Sequence, residues 1–442
     1  MYAVCMAMPY LSFQLTVMTR FTCFILFCLF MFTASSQSTY IHCGKLIDGK
    51  SDQVQTEMTI VVEGNKIIEV RKGYHTASGA AIINLKDKTV MPGLIDCHVH
   101  ISSETSRNRY SEGFTLNEED FAFRSVGYAE RTLMQGFTTV RDLGGTIALS
   151  LRNAINGKYI RGPRIIAAGK SIATTGGHAD PSNGVNRELM GDPGAREGVI
   201  NGADEAMKAV RQRYKEGSDL IKITATGGVL SNAKDGAGAH FTEEEIKAVV
   251  RTANDYGFKV AAHAHGAEGM KRAIRAGVSS IEHGTFMDDE VIRLMKEHGT
   301  WYVPTITAGQ SVGDSAKIPG YYPPFVTIKA LETGPKILST FSKAYKEGVK
   351  IAFGTDAGVF MHGKNYKEFE YMVMGGMPAM ETIQSATMAA AELLGMSDKL
   401  GSVEKGKLAD IIAVDGDPVK DIRMMKEVSF VMKDGEIYKG GK

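Results

Sequence analysis

His98 and His100 stand two residues apart where a strand-like segment ends in Asp96-Cys97-His98-Val99-His100. Side chains alternate between the faces of a strand, so a His-x-His pair at a strand end projects both imidazoles to one side, where they can share a metal ion. A pair of this kind also occurs as packed structural histidine. Three further strand ends favour the metal by also supplying histidine or aspartate: His263 (after Lys259-Val260-Ala261-Ala262), His283 (after Ile281-Glu282) and Asp356 (after Gly354-Thr355). Imidazole and carboxylate donors suit zinc and related divalent ions, and such an ion lowers the pKa of a bound water to about 7. Asp356 is suited to take that water's proton and deliver it to a leaving amine, as general base and then general acid. The bland alternative for Asp356 is a helix N-cap.

Something must bring four strand ends to one mouth. Strand-like runs near Leu94, Thr138, Ile165, Leu220, Val260, Ser280, Tyr302 and Ile351 alternate with amphipathic stretches such as 242–255 and 288–297. Eight such repeats predict an α/β chain folded as a (β/α)8 TIM-type barrel over residues 91–401, with its chemistry where the strands end. Short alternating segments at 59–62, 66–70, 409–414, 428–432 and 436–438, with Asp415-Gly416 and Asp434-Gly435 turns, read as hairpin strands. Residues 38–90 and 402–442 are therefore expected to form one small β-sandwich domain from both chain ends.

Several longer motifs accompany these residues: Met91-Pro92-Gly93-Leu94-Ile95-Asp96-Cys97-His98-Val99-His100, Gly136-Phe137-Thr138-Thr139-Val140-Arg141-Asp142 and Thr175-Gly176-Gly177-His178-Ala179-Asp180. Further along come Ile221-Lys222-Ile223-Thr224-Ala225-Thr226-Gly227-Gly228, His263-Ala264-His265-Gly266, Ile281-Glu282-His283-Gly284 and Gly354-Thr355-Asp356-Ala357-Gly358. Through them nearly all of residues 38–440 resembles the amidohydrolase superfamily, in its imidazolonepropionase-related branch of prolidase-like dipeptidases and carboxypeptidases. The resemblance implies two divalent metal ions, zinc by preference, with His98, His100 and Asp356 on one and His263 and His283 on the other. It also implies that Lys222 bridges them as a carboxylated lysine, since a neutral amine can capture carbon dioxide as an anionic carbamate. His178 matches a position that holds a substrate carboxylate, and His265 one that polarises the scissile carbonyl. Arg141 is either a carboxylate clamp or a barrel ion pair. Of His263 and His265, the first is taken as the ligand because it directly ends its apolar run.

Composition sets the outer bounds. The chain has 442 residues, 43% of them hydrophobic, and a formal charge of +1 from 51 basic and 50 acidic side chains, so it offers no electrostatic footprint for nucleic acid or an anionic membrane. Arg20 is followed by an apolar run over 21–32 and then Ala34, Ser35 and Ser36. That run is shorter than the ~20 residues of a spanning helix, so residues 1–37 are expected to be a cleaved signal peptide, beginning at Met1 or Met18, of a periplasmic or secreted enzyme with no membrane insertion afterwards. Of five cysteines only Cys43 and Cys97 follow the leader, too few for a disulfide framework.

The expected activity is hydrolysis of the peptide bond in a dipeptide or short peptide, with a hydrophobic or proline C-terminal residue favoured because no acidic cluster awaits a cationic side chain. N-acyl amino acids fit the same chemistry. The rival readings are an amidohydrolase acting on a cyclic amide, imidazolone or lactone, and a noncatalytic barrel. A small peptide is the expected partner, with a homo-oligomer possible on the sequence. His362, on the loop after Asp356, is a candidate for the pocket rim.

Overall fold

A computed structural model describes residues 38–233 and 236–441. The expected leader, 1–37, lies outside the described residues. A seven-stranded sheet is built from both ends of the chain, in the spatial order Glu436–Lys439, Val428–Lys433, Ile411–Asp415, Ala81–Pro92, Thr39–Leu46, Gln55–Glu63 and Lys66–Lys72. The hairpins read from the sequence are present, and the two termini meet where Ile411 pairs with Pro92 and Asp415 with Lys88. Alternation along the strands puts Ile41, Cys43, Ile60, Val62, Phe430 and Met432 into one buried apolar cluster.

One residue separates this sheet from the next. Gly93 follows Pro92, and its N–H donates to Asp410 O at 2.8 Å. A Cβ at Gly93 would lie 2.2 Å from Thr138 Oγ1, so only glycine lets the two strands pass. Beyond it, Leu94–Val99, Phe137–Asp142 and Arg164–Ala167 form one parallel sheet, and Ile221–Thr224, Val260–Ala264, Ser280–His283 and Trp301–Val303 form another. Parallel bridges join Ile172 to Ile223, Tyr302 to Ile351 and Val99 to Ala357. The arrangement is TIM-barrel-like. The strand expected near Ile351 is reduced to its bridge, because Phe353 N–H turns to Ser385 O at 3.0 Å and Asp356 adopts a left-handed φ of 60°.

The intervening helices follow their sequence signals. Thr242 caps Glu243–Asp255 by accepting from Glu245 N–H while the Glu245 carboxylate accepts from Thr242 N–H, and Ile246, Val249, Val250 and Ala253 turn inward at helical spacing. Asp288 caps Asp289–His298, which Gly299 ends in the left-handed conformation. Cys43 and Cys97 are buried free thiols. Among the described residues no helix is long and apolar enough to cross a membrane.

Candidate metal centre

The strand ends gather two groups of donors. His98, His100 and Asp356 form one and His263, His265 and His283 the other, and within each the donor atoms all lie within 4.8 Å of one another. The groups adjoin, with the rings of His98 and His283 4.9 Å apart. Three of the imidazoles are oriented through Nδ1. His98 Nδ1 lies 2.9 Å from Glu282 Oε2, and because an ionised carboxylate only accepts, the ring hydrogen sits on Nδ1 and the Nε2 lone pair is left for an ion. His265 Nδ1 meets Thr285 Oγ1 and His283 Nδ1 meets Thr305 Oγ1, both at 2.8 Å. His263 is turned the other way: its Nε2–H donates to Gly227 O at 2.9 Å. The sequence separated a ligand His263 from a substrate-facing His265, whereas the structure places both beside His283.

Burial sets the protonation of these groups. It holds His98, His263 and His283 well below the usual histidine range, and it pushes His100 and His265 down to about 3, with Lys222 adding to the effect in every case. Five neutral imidazoles are five available lone pairs. Burial also lowers the Lys222 amine against the attraction of Glu282 and Asp356, and raises the Asp356 carboxyl against the attraction of Lys222. A lysine held toward its neutral form beside these donors is what carbamate formation needs.

The donors pass a test of fit to a cation. His98 Nε2 and Asp356 Oδ1 are buried, 3.5 Å apart, and neither has a hydrogen-bond partner. His100 Nε2 is 3.3 Å from the same oxygen. Two orphaned acceptors facing each other are costly in a dry interior, and a divalent ion shared between them removes the cost. Backbone strain collects here too. His283, Thr305 and Asp356 have φ of 69°, 52° and 60°, in the left-handed region that side chains disfavour.

These groups floor a cavity of about 340 Å3. Leu143, Val229, Leu230, Val312, Ile337 and Val359 give it an apolar wall. Lys222, His178 and His265 line it as expected, and the His178 ring stacks on His263 at 4.3 Å with its Nδ1 buried and unpaired. Among the described residues, Asp356 is the single acidic residue of the lining.

Two expectations change. Arg141 is no carboxylate clamp: it is 2% exposed, lies outside the lining, and donates to Glu282 Oε1 at 2.8 Å, to Ser280 Oγ at 3.1 Å and to Cys97 O. It is the barrel ion pair, and through Glu282 it fixes the carboxylate that orients His98. His362 is buried behind the rim, where its Nε2–H donates to Ser103 O at 2.9 Å and His100 O at 3.2 Å. Sequence reasoning passed over Glu282, Thr285, Thr305 and Arg109. Glu282 stood inside a quoted motif, but the threonines and the arginine carried no signal of their own.

The comparisons with known proteins agree with this geometry. Residues 89–439 match the Amidohydrolase family. The structure is similar to a crystal structure of a Xaa-Pro dipeptidase with bound methionine in the active site, at 56% identity and a TM-score of 0.90, covering 91% of this chain and 100% of the other. A prolidase complexed with N-methylphosphonate-L-proline is similar at 30% identity and a TM-score of 0.83, covering 91% of this chain and 100% of that one. Ochratoxinase from Aspergillus niger is 31% identical over 432 residues, covering 92% of this chain and 88% of its own.

Proposed function

The chain belongs to the amidohydrolase family, and from that premise we propose that it cleaves the peptide bond of dipeptides and short peptides that end in a hydrophobic residue or proline. The observation that carries the reading is the facing pair of orphaned acceptors, His98 Nε2 and Asp356 Oδ1, on the floor of an otherwise apolar pocket. The dipeptidase and prolidase among the similar structures support the substrate class. The parallel bridges from Ile172, Tyr302 and Val99 support a closed barrel of eight strands.

His98, His100 and Asp356 would hold one ion and His263 and His283 the other, with a carboxylated Lys222 between them and His265 close enough to serve either the ion or the substrate. Bound divalent ions supply Lewis acidity and make water a competent nucleophile at neutral pH. Asp356 takes the proton of the attacking water and hands it to the departing amine, a role suited by the raised affinity for protons that burial gives its carboxyl. His265 donates toward the carbonyl oxygen where negative charge develops. The apolar wall takes the side chain of the C-terminal residue and keeps bulk water from the bond.

The test is a dipeptide library offered to zinc-loaded protein lacking residues 1–37, with the released amino acids identified. Release of proline and of hydrophobic residues is expected. Turnover confined to Xaa-Arg and Xaa-Lys, or to cyclic amides and lactones, would overturn the reading.

A further inference from the structure

Arg109 is a charge in the pocket that the metal chemistry does not use. It begins the helix Arg109–Thr115 and lines the cavity above the histidines. Among the described residues no carboxylate lies within salt-bridge distance of its guanidinium, whereas the buried Arg141 and Arg164 have Glu282 and Asp410 at 2.8 Å. The other charges of the lining, Lys222 and Asp356, sit with the donors and attract each other. Among the described residues, Arg109 is thus the uncompensated charge of the wall.

Its position is fixed by its neighbour. The Tyr110 hydroxyl donates to Leu230 O at 3.1 Å, on the loop after Ile221–Thr224, and its ring packs on a cluster that includes Val229, Val312, Tyr322 and Val326. The first turn of the helix is therefore held against the same residues that make the apolar wall.

A guanidinium presents a planar fork of N–H donors that matches a carboxylate with two parallel hydrogen bonds. Such a charge-assisted, two-pronged bond is stronger and more directional than the single bond a lone imidazole such as His178 can offer. Among the described residues, the remaining wall has no acidic group for a cationic side chain. Resting on the peptidase reading above, we infer that Arg109 reads the free α-carboxylate of the departing residue, so that the enzyme removes only a C-terminal residue with an apolar side chain. A longer peptide that extends past this point would set a neutral amide against the guanidinium, and it is refused for that reason.

The experiment compares glycyl-leucine with glycyl-leucinamide as substrates of the zinc-loaded wild-type, Arg109→Lys and Arg109→Gln proteins, and leucine with leucinamide as ligands by thermal shift. The wild type is expected to prefer the free acid about 10- to 100-fold in kcat/KM, the range of a charge-assisted hydrogen bond. Arg109→Gln should lose that preference, chiefly through KM, while its turnover of the amide stays within about threefold. Arg109→Lys should keep part of it. An unchanged acid-to-amide ratio in Arg109→Gln overturns the inference. If no dipeptide is cleaved but leucine raises the melting temperature of the wild type and not of Arg109→Gln, the carboxylate site stands and the peptidase reading falls. If neither leucine nor leucinamide shifts the wild type and neither dipeptide is cleaved, both fall.

Discussion

The mouth of the barrel and the seven-stranded sheet at the chain ends differ in how they treat polar groups. In the sheet, Thr59 Oγ1 donates to Gly73 O and accepts from His75 N–H, Lys88 pairs with Asp415, and the interior is aliphatic and aromatic. At the mouth, His98 Nε2, Asp356 Oδ1 and His178 Nδ1 are buried without partners against Arg71 Nε alone in the described sheet, and His283, Thr305 and Asp356 hold left-handed backbone where the sheet has Glu57 and Asp434. The sheet is built to be stable. The mouth gives up stability in return for groups that wait for an ion or a substrate, as functional sites do.

Substitutions at matched places can break that contrast or sharpen it. The largest effect is expected for Asp356→Asn, which keeps the shape and removes the proton carrier: kcat should fall by about 10^2- to 10^4-fold with little change in the melting temperature. Steady-state kinetics with metal analysis of the same sample checks it, and full activity with full metal content would remove Asp356 from the chemistry. In the sheet the reverse holds. Phe430 is 1% exposed, and Phe430→Ala should cost about 3–5 kcal/mol in denaturant unfolding while kcat per folded molecule is unchanged.

Glu368 lies between the two extremes, since its buried carboxylate accepts from Ile306 N–H, Thr307 N–H and Thr307 Oγ1 next to the strained Thr305. Burial raises its pKa from 4.5 to about 7. A raised carboxyl binds its proton more tightly in the folded chain, so its contribution is full below about pH 4.5 and is lost as pH rises through about 7. That loss is worth about 3 kcal/mol at most. Glu368→Gln should flatten this part of the stability profile, and an identical slope in wild type and variant would show that Glu368 titrates normally.

The smallest contrast uses one substitution twice. Thr305→Val removes the hydroxyl that orients His283 and should lower metal affinity about 10- to 100-fold. Thr59→Val removes a hydroxyl from the sheet and should cost about 1 kcal/mol of stability with metal affinity unchanged. Equal loss of metal in both would end the distinction.

What could be read from the sequence follows from the range of each signal. His98 and His100 were legible because strand alternation acts over two residues, and the helices that follow Thr242 and Asp288 because their apolar positions recur every three or four residues. The gathering of His283, Asp356 and Lys222 was legible only through the resemblance and the repeating βα pattern. Arg141 had two readings because its partner, Glu282, lies 141 residues away, and nothing local to either residue reveals the pair. Thr285 and Thr305 went unseen for the same reason, since each orients a histidine about 20 residues earlier in the chain. Arg109 was silent because a surface arginine and a pocket arginine have the same local sequence.

The pairing of Pro92 with Ile411 also sets a schedule for biosynthesis. The strand Ala81–Pro92 runs through Gly93 into the strand that carries His98, yet its neighbour on one side, Ile411–Asp415, lies more than 300 residues further along the chain. The nascent chain must therefore carry an open β edge beside His98 and His100 until more than 300 further residues have been made, a span of about 15 to 60 s at ordinary elongation rates. Arrival of that distant strand, rather than emergence of the first barrel strands, is the event that closes the edge beside the strand carrying His98.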